Sequence, residues 1–464
     1  MADQHPSSFR DPAGHIFTDK GKVFRQINKA GRADYDGLMQ SGLYDALVKR
    51  GLLVEHQEVS TPKASGKDGY KVIQPAVVPL ISYPYEWSFS QLKDAALLTL
   101  RVQKLAIKYG LILKDASAYN VQFIGKKPVL IDTLSFMPYE EGKPWEGYKQ
   151  FCEHFVAPLA LASYTSLDAL KLLRSDLEGI SLELTTKLLP RRARLRPGLL
   201  SHVYLHANAQ GKYKNIASDK PQKEIKTRAV SKFALEGLVS SLENTVRGLK
   251  LPKQQTEWGD YYTFTNYSEA GFEKKRNMVR SYLETVSPTP KTVWDIGANN
   301  GEFSSLAAEK DMYTVAFDID PLAVERNYLN RTVASHTENM LPLLQDVVNP
   351  SPANGFLGTE RDSLQARGPA DVVMALALIH HLSIGRNLPF EKVTELLATI
   401  GKHVIIEFVP KEDSKVQILL ASRRDVFPNY HEKGFELAMS KHFKLVKSQK
   451  IAGTKRTLYL YKRK

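Results

Sequence analysis

The chain of 464 residues is long enough for two or three domains with substantial hydrophobic cores. Its hydrophobic fraction of 43% is ordinary for a globular protein, which excludes the disordered and fibrous classes. The formal net charge of +14 would permit an anionic partner, but much of the surplus precedes residue 250 and is typical of a solvated surface, so we do not expect nucleic-acid binding.

Cysteine content and hydropathy indicate a cytoplasmic location. The single cysteine, Cys152, excludes an intramolecular disulfide framework and is typical of a reducing compartment. No apolar run approaches the roughly 18 residues that a membrane-spanning helix needs, so no membrane insertion is expected. The polar residues 1–10 lack the apolar core of a signal peptide. No pattern in the sequence indicates the oligomeric state.

The front of the chain is predicted to combine short strands with helices. Residues 9–17 form a predicted turn and strand, and residues 22–27 form a second strand. Leucines at helical intervals predict a helix over residues 36–50. Residues 90–109 carry many apolar side chains, which predicts a long and largely buried helix. This mixture indicates an α+β front domain.

A set of polar residues follows the long helix. Residues 113–123 contain Asp115 and, five residues later, Asn120, and the apolar strand 128–131 then ends on Asp132. The order and spacing of these three residues resemble the catalytic loop and the metal-binding acid of the protein-kinase-like fold. By that resemblance Asp115 would orient an accepting hydroxyl, while Asn120 and Asp132 would hold magnesium on the phosphates of ATP.

This segment departs from the kinase-like pattern in several places. No G-x-G-x-x-G loop precedes it, Leu113 stands where a histidine is usual, and Thr-Leu replaces Phe-Gly after the second acid. Lys71 and Glu86 are candidates for the strand lysine and its acidic partner, but no motif fixes either. Three interpretations stay open: an active phosphotransferase, an inactive kinase-shaped module, and a polar hairpin whose Asp and Asn residues cap turns.

The middle of the chain carries weaker functional signals. Aromatic residues between positions 145 and 155 are interpreted as a packing layer. The arginines of residues 191–196 are interpreted as a solvated loop in preference to a phosphate site, and the polar residues 206–232 as a long loop or linker. The aromatic residues of segment 258–268 are candidates either for a lid over a ligand or for core packing.

The most informative stretch is residues 293–303, Val-Trp-Asp-Ile-Gly-Ala-Asn-Asn-Gly-Glu-Phe. A buried strand carries Asp295, passes through a turn that contains Gly297 and Gly301, and opens a helix. A second apolar strand ends on Asp318, about 20 residues after the turn, where an acid is suited to bind both hydroxyls of a ribose.

These residues resemble the first two motifs of the class I S-adenosylmethionine-dependent methyltransferases, over about the last two fifths of the chain. Asn299 replaces the middle glycine of a dinucleotide-binding turn, and an acid before the turn suits a cationic amino group better than a pyrophosphate. The resemblance implies a Rossmann-like α/β sheet. It also implies that the methionine moiety of S-adenosylmethionine and its ribose are bound by Asp295, Gly297, Asn299, Gly301 and, at the ribose, Asp318.

Two further strand ends carry candidate site residues. Asp346 ends the predicted third strand, and by the resemblance it lies at the adenine amino group. The fourth strand, residues 371–379, is predicted to end on His380 and His381. One of them is a candidate base for removing a proton from the methyl acceptor, with His380 preferred from the alternation of side chains along a strand; a hydrogen bond near the cofactor or a structural role are the alternatives. No additional cluster completes a metal site.

The layout predicts three regions. An α+β kinase-like domain covers residues 1–165, a helical linker region covers residues 166–255, and a Rossmann-like α/β methyltransferase domain covers residues 256–464. In the last region, a fifth strand carries Glu407 at its tip and two final strands form a closing antiparallel pair. The same layout resembles a group of bacterial two-domain proteins, some of which are nodulation-related.

The leading hypothesis is an enzyme that transfers a methyl group from S-adenosylmethionine to a small-molecule or carbohydrate-like acceptor. One alternative is a bifunctional phosphotransferase-methyltransferase that binds Mg-ATP in its front domain. The other is a kinase-like binding module that presents an acceptor to the methyltransferase domain. No residue pattern identifies the acceptor itself.

Overall fold

The computed structural model describes residues 3–60, 67–210, 229–253, 269–330, 337–421 and 424–464. The chain divides into two compact units: the first contains residues 1–123 and 127–254, and the second contains residues 124–126 and 255–464. The described helices between residues 166 and 255, predicted as a separate linker region, belong to the first unit. The candidate lid segment 258–268 lies outside the described residues. None of the described helices combines the length and apolar character needed to cross a membrane.

The first unit contains a five-stranded antiparallel sheet with the spatial order β1-β2-β3-β5-β4. Its strands are β1 (Asp3–Gln4), β2 (Gly14–Asp19), β3 (Lys22–Asn28), β4 (His56–Val59) and β5 (Gly69–Pro75). Phe24 and Val72 belong to one buried cluster, whereas Ile27 and Ile73 belong to another. Because side chains alternate along a strand, the two clusters lie on opposite faces of the sheet. Both strands predicted near the start of the chain are confirmed.

Most of the first unit is helical. The helices are α1 (Arg32–Gln40), α2 (Leu43–Lys49), α3 (Phe89–Lys108), α4 (Tyr148–Phe151), α5 (Ala157–Tyr164), α6 (Leu182–Leu188), α7 (Pro197–Leu199) and α8 (Lys232–Gly248). The single helix predicted over residues 36–50 is wrong, because Gly42 takes a left-handed φ of 77° and separates α1 from α2. The predicted long helix is confirmed as α3, whose first turn is capped by the Ser88 hydroxyl.

Two short strand pairs follow α3. Strand β6 (Leu111–Leu113) pairs with β9 (Phe136–Pro138), and β7 (Val121–Ile124) pairs with β8 (Lys127–Leu130). Two single-turn 3-10 helices lie between these strands and are capped by polar side chains: the Ser117 hydroxyl caps one, and the Asp132 carboxylate caps the other. The polar residues of the predicted set therefore lie in tight turns between short strands.

The second unit is built on a seven-stranded mixed sheet with the order β12-β11-β10-β13-β14-β16-β15. The strands are β10 (Thr292–Ile296), β11 (Tyr313–Asp318), β12 (Met340–Leu344), β13 (Ala370–Ala375), β14 (Gly401–Phe408), β15 (Phe443–Lys450) and β16 (Thr457–Arg463). The first five in spatial order are parallel, and β16 is antiparallel to both β14 and β15. The predicted α/β class and the closing antiparallel pair are confirmed.

Helices precede, connect and follow the parallel strands of the second unit. They are α9 (Glu269–Thr285), α10 (Ser304–Ala308), α11 (Pro321–Leu329), α12 (Phe390–Ile400), α13 (Ser414–Ala421) and α14 (Glu432–His442). Tyr282 and Leu283 of α9 share a buried cluster with Val293, Val372 and Ile405 of the central strands. The central strands are buried, which explains why they are continuous apolar runs in the sequence.

The fourth predicted strand is shorter than the sequence indicated. Strand β13 ends at Ala375, whereas the prediction extended it to residue 379. Ala377 takes a left-handed φ of 52°, which an extended strand cannot contain, and His381–Gly385 forms a helical turn. His380 and His381 therefore lie at the start of a helical turn, and the alternation of a strand does not determine their directions.

Candidate active site

Three acids of the second unit lie at the carboxyl ends of neighbouring parallel strands. Asp295 lies in β10, Asp318 ends β11, and Asp346 lies two residues after β12. Because these strands are adjacent and parallel, their carboxyl ends meet at one edge of the sheet. All three acids line a cavity of about 510 Å³, a volume typical of small-molecule sites.

The loop after β10 brings backbone to the cavity through left-handed residues. Gly297, Asn299 and Gly301 have φ values of 76°, 50° and 86°. Asparagine tolerates this conformation better than most residues, which explains why Asn299 can occupy the place of a glycine. A Cβ atom on Gly297 would lie 3.1 Å from the side chain of Leu378, which also lines the cavity. The loop therefore leaves room for a ligand where a larger residue would narrow the cavity.

Asp318 lines the cavity and links its own strand to this loop through a hydrogen bond. Its Oδ2 atom accepts a hydrogen bond from the Asn299 N–H at 2.7 Å, and its Oδ1 atom accepts one from the Asp320 N–H at 2.8 Å. Burial raises the pKa of Asp318 to about 6. No described residue forms an ion pair with this carboxylate. The lone pair that each oxygen still has available is therefore suited to accept a hydrogen bond from a hydroxyl of a ligand.

Asp295 is the most deeply placed acid of the cavity. Its side chain is 2% exposed, and Oδ2 accepts a hydrogen bond from the Ser304 hydroxyl at 2.7 Å. Burial raises the pKa of this carboxyl group to about 7. A cationic group in the cavity would favour the ionised form, because it would offset the cost of the buried charge.

Asp346 lies in a tight turn at the far end of this edge. Its Oδ1 atom accepts a hydrogen bond from the Val348 N–H at 2.9 Å, and both residues line the cavity. Gln345 also lines the cavity, and its Oε1 atom accepts a hydrogen bond from the Ser351 hydroxyl at 3.0 Å. Gln345 was not predicted as a site residue, although its position directly before the predicted acid was a usable signal.

The structure separates the two candidate histidines. His381 lines the cavity, whereas His380 is 2% exposed and does not line it. Their rings lie 4.1 Å apart between centroids. Burial lowers the pKa of both residues, and His381, near the cations Arg456 and Lys415, has a pKa of about 4. The preference for His380 as the base therefore has no geometric support, and His381 becomes the candidate.

A buried network of charges borders the same cavity. The Lys275 Nζ atom lies 2.6 Å from Glu407 at the end of β14, and Arg456 lies 3.1 Å from the other Glu407 oxygen. Arg456 also pairs with Asp413 at 2.7 Å. Lys275, which lines the cavity, lies 4.6 Å from the centroid of the Phe303 ring. Glu407 was predicted at a strand tip, whereas neither of its basic partners was predicted, since no motif marks them.

In the first unit, the structure brings the predicted polar set together. The Asp132 Oδ2 atom accepts a hydrogen bond from the Ser135 hydroxyl at 2.9 Å, and Ser135 Oγ accepts one from the Asn120 amide at 3.2 Å. Burial raises the pKa of Asp115, and the nearby charge of Asp132 acts in the same direction. Asp115, Asn120 and Asp132 therefore form one polar cluster.

A cation that was not predicted from the sequence pairs with one acid of this cluster. Arg25 of β3 places its Nη1 atom 2.5 Å from Asp132, and the two side chains are 12% and 16% exposed. The interpretation of Lys71 and Glu86 as a pair is wrong. Lys71 pairs with Glu58 at 2.7 Å, and Glu86 accepts a hydrogen bond from the backbone N–H of Tyr83 instead. Within the described ranges, no group of three or more His, Cys, Asp or Glu residues is arranged to hold a metal ion.

Several solved structures are similar to part of the chain. Magnesium protoporphyrin IX methyltransferase (ChlM) from Synechocystis PCC 6803 with bound SAH is 16% identical, covers 45% of this chain and 93% of that one, and has a TM-score of 0.32. N-methyltransferase NodS from Bradyrhizobium japonicum WM9 is 11% identical, covers 42% and 98%, and also scores 0.32. The bifunctional kinase-methyltransferase WbdD is 16% identical, covers 42% and 40%, and scores 0.30. These TM-scores are too low to establish a shared fold.

Similarity of sequence extends over nearly the whole chain in one case. No family model matches the chain. The nodulation protein NoeA from Rhizobium meliloti (strain 1021) is 35% identical over 460 residues, which cover 98% of this chain and 95% of that protein. At this identity and coverage the relationship includes both units, and the chain belongs to the family of the nodulation protein NoeA.

Proposed function

We propose that the second unit binds S-adenosylmethionine and transfers its methyl group to a small-molecule or carbohydrate-like acceptor. The observation that carries this proposal is the edge of the sheet at which Asp295, Asp318 and the left-handed loop residues Gly297 and Asn299 border one cavity. A buried acid before a glycine turn and a second acid at the next strand end form the pattern that the sequence shares with class I methyltransferases.

The residues of the cavity fit this cofactor. Each carboxylate oxygen of Asp318 accepts one backbone N–H and can accept a further hydrogen bond from a hydroxyl. None of the described residues is a cationic partner of this carboxylate. Asp295 is buried without an ion pair among the described residues, so a cationic amino group would stabilise its charge. In this arrangement Asp318 holds the ribose, Asp295 and the loop hold the methionine moiety, and Asp346 with Gln345 borders the adenine.

When bound, S-adenosylmethionine supplies an electrophilic methyl group on a sulfonium. The chain contributes alignment of the acceptor with that group and exclusion of water by the apolar side chains Leu376, Leu378 and Leu382, which line the cavity. The depressed pKa of His381, about 4, keeps its imidazole unprotonated at neutral pH. An unprotonated imidazole nitrogen can accept the proton of a hydroxyl or amine acceptor.

Calorimetry with S-adenosylhomocysteine tests the proposal directly. Asp318→Ala removes the acceptor of two hydrogen bonds to the ribose, each worth about 1.5–3 kcal/mol because one partner is charged. The affinity of the variant should fall at least about tenfold. Glu338→Ala, which changes an exposed acid of the same unit, serves as the control and should bind like the wild type. Equal affinity of Asp318→Ala and the wild type would remove the ribose assignment.

The polar cluster of the first unit supports a second proposal, that this unit is a kinase-like module. The convergence of Asp115, Asn120 and Asp132 favours such a module over a simple hairpin. The ion pair between Arg25 and Asp132 favours a binding module that presents an acceptor over an Mg-ATP-dependent phosphotransferase, because magnesium would have to displace the guanidinium.

A further inference from the structure

The lining of the cavity in the second unit carries charges of both signs. The residues assigned to the cofactor include the acids Asp295, Asp318 and Asp346, and Asp320 is a further acid of the lining. Another part of the lining comes from the helical turn that begins at His381, from Arg386 directly after it, and from Leu419. We call this part the acceptor wall, because its residues are not among those assigned to the cofactor, and its charged side chains indicate what kind of molecule it binds.

Arg386 is a basic residue of this wall. It directly follows the turn His381–Gly385, lines the cavity and is exposed. Within the part of the chain that the structure describes, no carboxylate pairs with its guanidinium. A planar guanidinium with available N–H groups binds carboxylate and phosphate groups through two parallel hydrogen bonds.

Lys415 adds positive charge to the same wall. It lies on α13 four residues before Leu419, so both side chains lie on one face of the helix. Leu419 lines the cavity, and the charge of Lys415 adds to the effects of burial and of Arg456, which lower the pKa of His381. Lys415 therefore lies near the same wall as His381.

The acids of the buried network that borders the cavity are already paired with cations. Glu407 pairs with Lys275 and Arg456, and Asp413 pairs with Arg456. Two carboxylates and two cations thus offset each other within the buried network. The charge of Arg386 is additional to this balanced network.

We infer that the methyl acceptor is an anion, whose carboxylate or phosphate group is bound by Arg386 with support from the charge of Lys415. This inference rests on the proposed function and adds the chemical class of its acceptor. Binding of an anion beside His381 also has a consequence for catalysis. The negative charge offsets the nearby cations, raises the pKa of His381 and makes its imidazole a stronger proton acceptor when the acceptor is present.

The experiment uses the full chain saturated with S-adenosylhomocysteine and calorimetric titration with four probes. The anionic probes are glucose 6-phosphate and glucuronate, the neutral probe is glucose, and inorganic phosphate reports binding of the charge alone. We expect both sugar anions and phosphate to bind and glucose to show no measurable affinity. Arg386→Gln should weaken the anionic probes about tenfold, while Arg386→Lys, which keeps the charge but loses the planar fork, should weaken them less. Arg463→Gln, at an exposed arginine of β16, is the control and should bind like the wild type.

The outcomes separate this inference from the proposed function. Glucose binding as tightly as glucose 6-phosphate would overturn the inference, as would equal losses in Arg386→Gln and Arg463→Gln. A weaker affinity of Arg386→Gln for S-adenosylhomocysteine would assign the arginine to the cofactor and also overturn it. Arginine-dependent phosphate binding in a wild-type protein that does not bind S-adenosylhomocysteine would preserve the anion site and overturn the proposed function.

Discussion

Each unit contains a cluster of two acids and an asparagine. The two clusters differ in whether a cation forms an ion pair with one of the acids. In the first unit, Asp115 and Asp132 lie beside Asn120, and Arg25 pairs with Asp132 at 2.5 Å. In the second unit, Asp295 and Asp318 lie beside the loop of Asn299, and no described cation forms an ion pair with either acid.

This difference shows that two acids and an asparagine after strand ends do not by themselves make a site. The acids of the second unit face a cavity of about 510 Å³ and keep pKa values raised by burial. A buried carboxylate without a cation favours a ligand that brings hydroxyl or ammonium groups. A carboxylate already held by a guanidinium gains less from a new partner, so the structure favours chemistry in the second unit.

The largest expected effect concerns the two histidines, which test whether chemistry occurs at the cavity of the second unit. His381→Ala should lower the turnover about 10²- to 10⁴-fold if His381 is the general base, with little change in melting temperature. His380→Ala should instead lower the free energy of unfolding by roughly 1–3 kcal/mol, because His380 is buried. A screen of candidate acceptors for S-adenosylhomocysteine release supplies the substrate for these measurements. Normal turnover and normal melting in both variants would exclude both histidines from the reaction.

The pH dependence of cofactor binding tests whether the second cluster works in its ionised form. The pKa values of Asp318 and Asp295 are about 6 and about 7, so both carboxyl groups gain protons as the pH falls through this range. A protonated carboxyl no longer offers a charged acceptor, and the affinity for S-adenosylhomocysteine should fall by up to about tenfold per pH unit below pH 6 for each group. Calorimetry between pH 5 and pH 8 measures this slope. An affinity independent of pH would show that neither carboxylate acts in its charged form.

The pH dependence of the stability of the ligand-free protein tests whether Asp295 is a buried acid without an ion pair. Burial raises the pKa of Asp295 from 3.8 to about 7, so the folded state binds this proton more tightly than the unfolded state. The contribution of the protonated Asp295 carboxyl group to the free energy of unfolding is therefore present at low pH. It is lost as the pH rises through about 7, at up to about 1.4 kcal/mol per pH unit. Asp295→Asn should therefore melt at a higher temperature than the wild type at pH 8, with a smaller difference at pH 5. A lower melting temperature of the variant at pH 8 would contradict the uncompensated charge.

The smallest expected effects belong to the first unit. If its cluster performs no phosphoryl transfer, Asp132→Asn should leave the methyl-transfer rate unchanged, and Mg-ATP should not shift the melting temperature of the wild type. Arg25→Gln removes the competing cation and serves as the matched variant, with an expected loss of about 1–3 kcal/mol of stability from the unpaired acid. A melting shift with Mg-ATP that is present in the wild type and absent in Asp132→Asn would restore the phosphotransferase alternative.

Much of the second unit could be predicted because its signals are local. Apolar runs of five to eight residues, each followed by an acid or a turn, located β10, β11, β12 and β14 and placed Asp295, Asp318 and Asp346. The end of β13 was predicted incorrectly, since residues 376–379 continue the apolar run while Ala377 turns the chain with a positive φ. Composition alone does not reveal such a turn when the residue is not glycine or asparagine.

The sequence by itself determined the class of each unit, the order of the strands along the chain, and the glycine turn in which Gly297 lines the cavity. Only the tertiary structure decided which charges neutralise one another. Arg25 and Asp132 are 107 residues apart, and Arg456 and Asp413 are 43 residues apart. Hydrophobic periodicity is read within a few turns of one element, whereas the partner of a buried charge depends on which distant strands and helices pack beside it. The tertiary structure also decided that His381 lines the cavity while His380 is buried outside its lining, because the chain leaves the strand at Ala377 before it reaches either histidine.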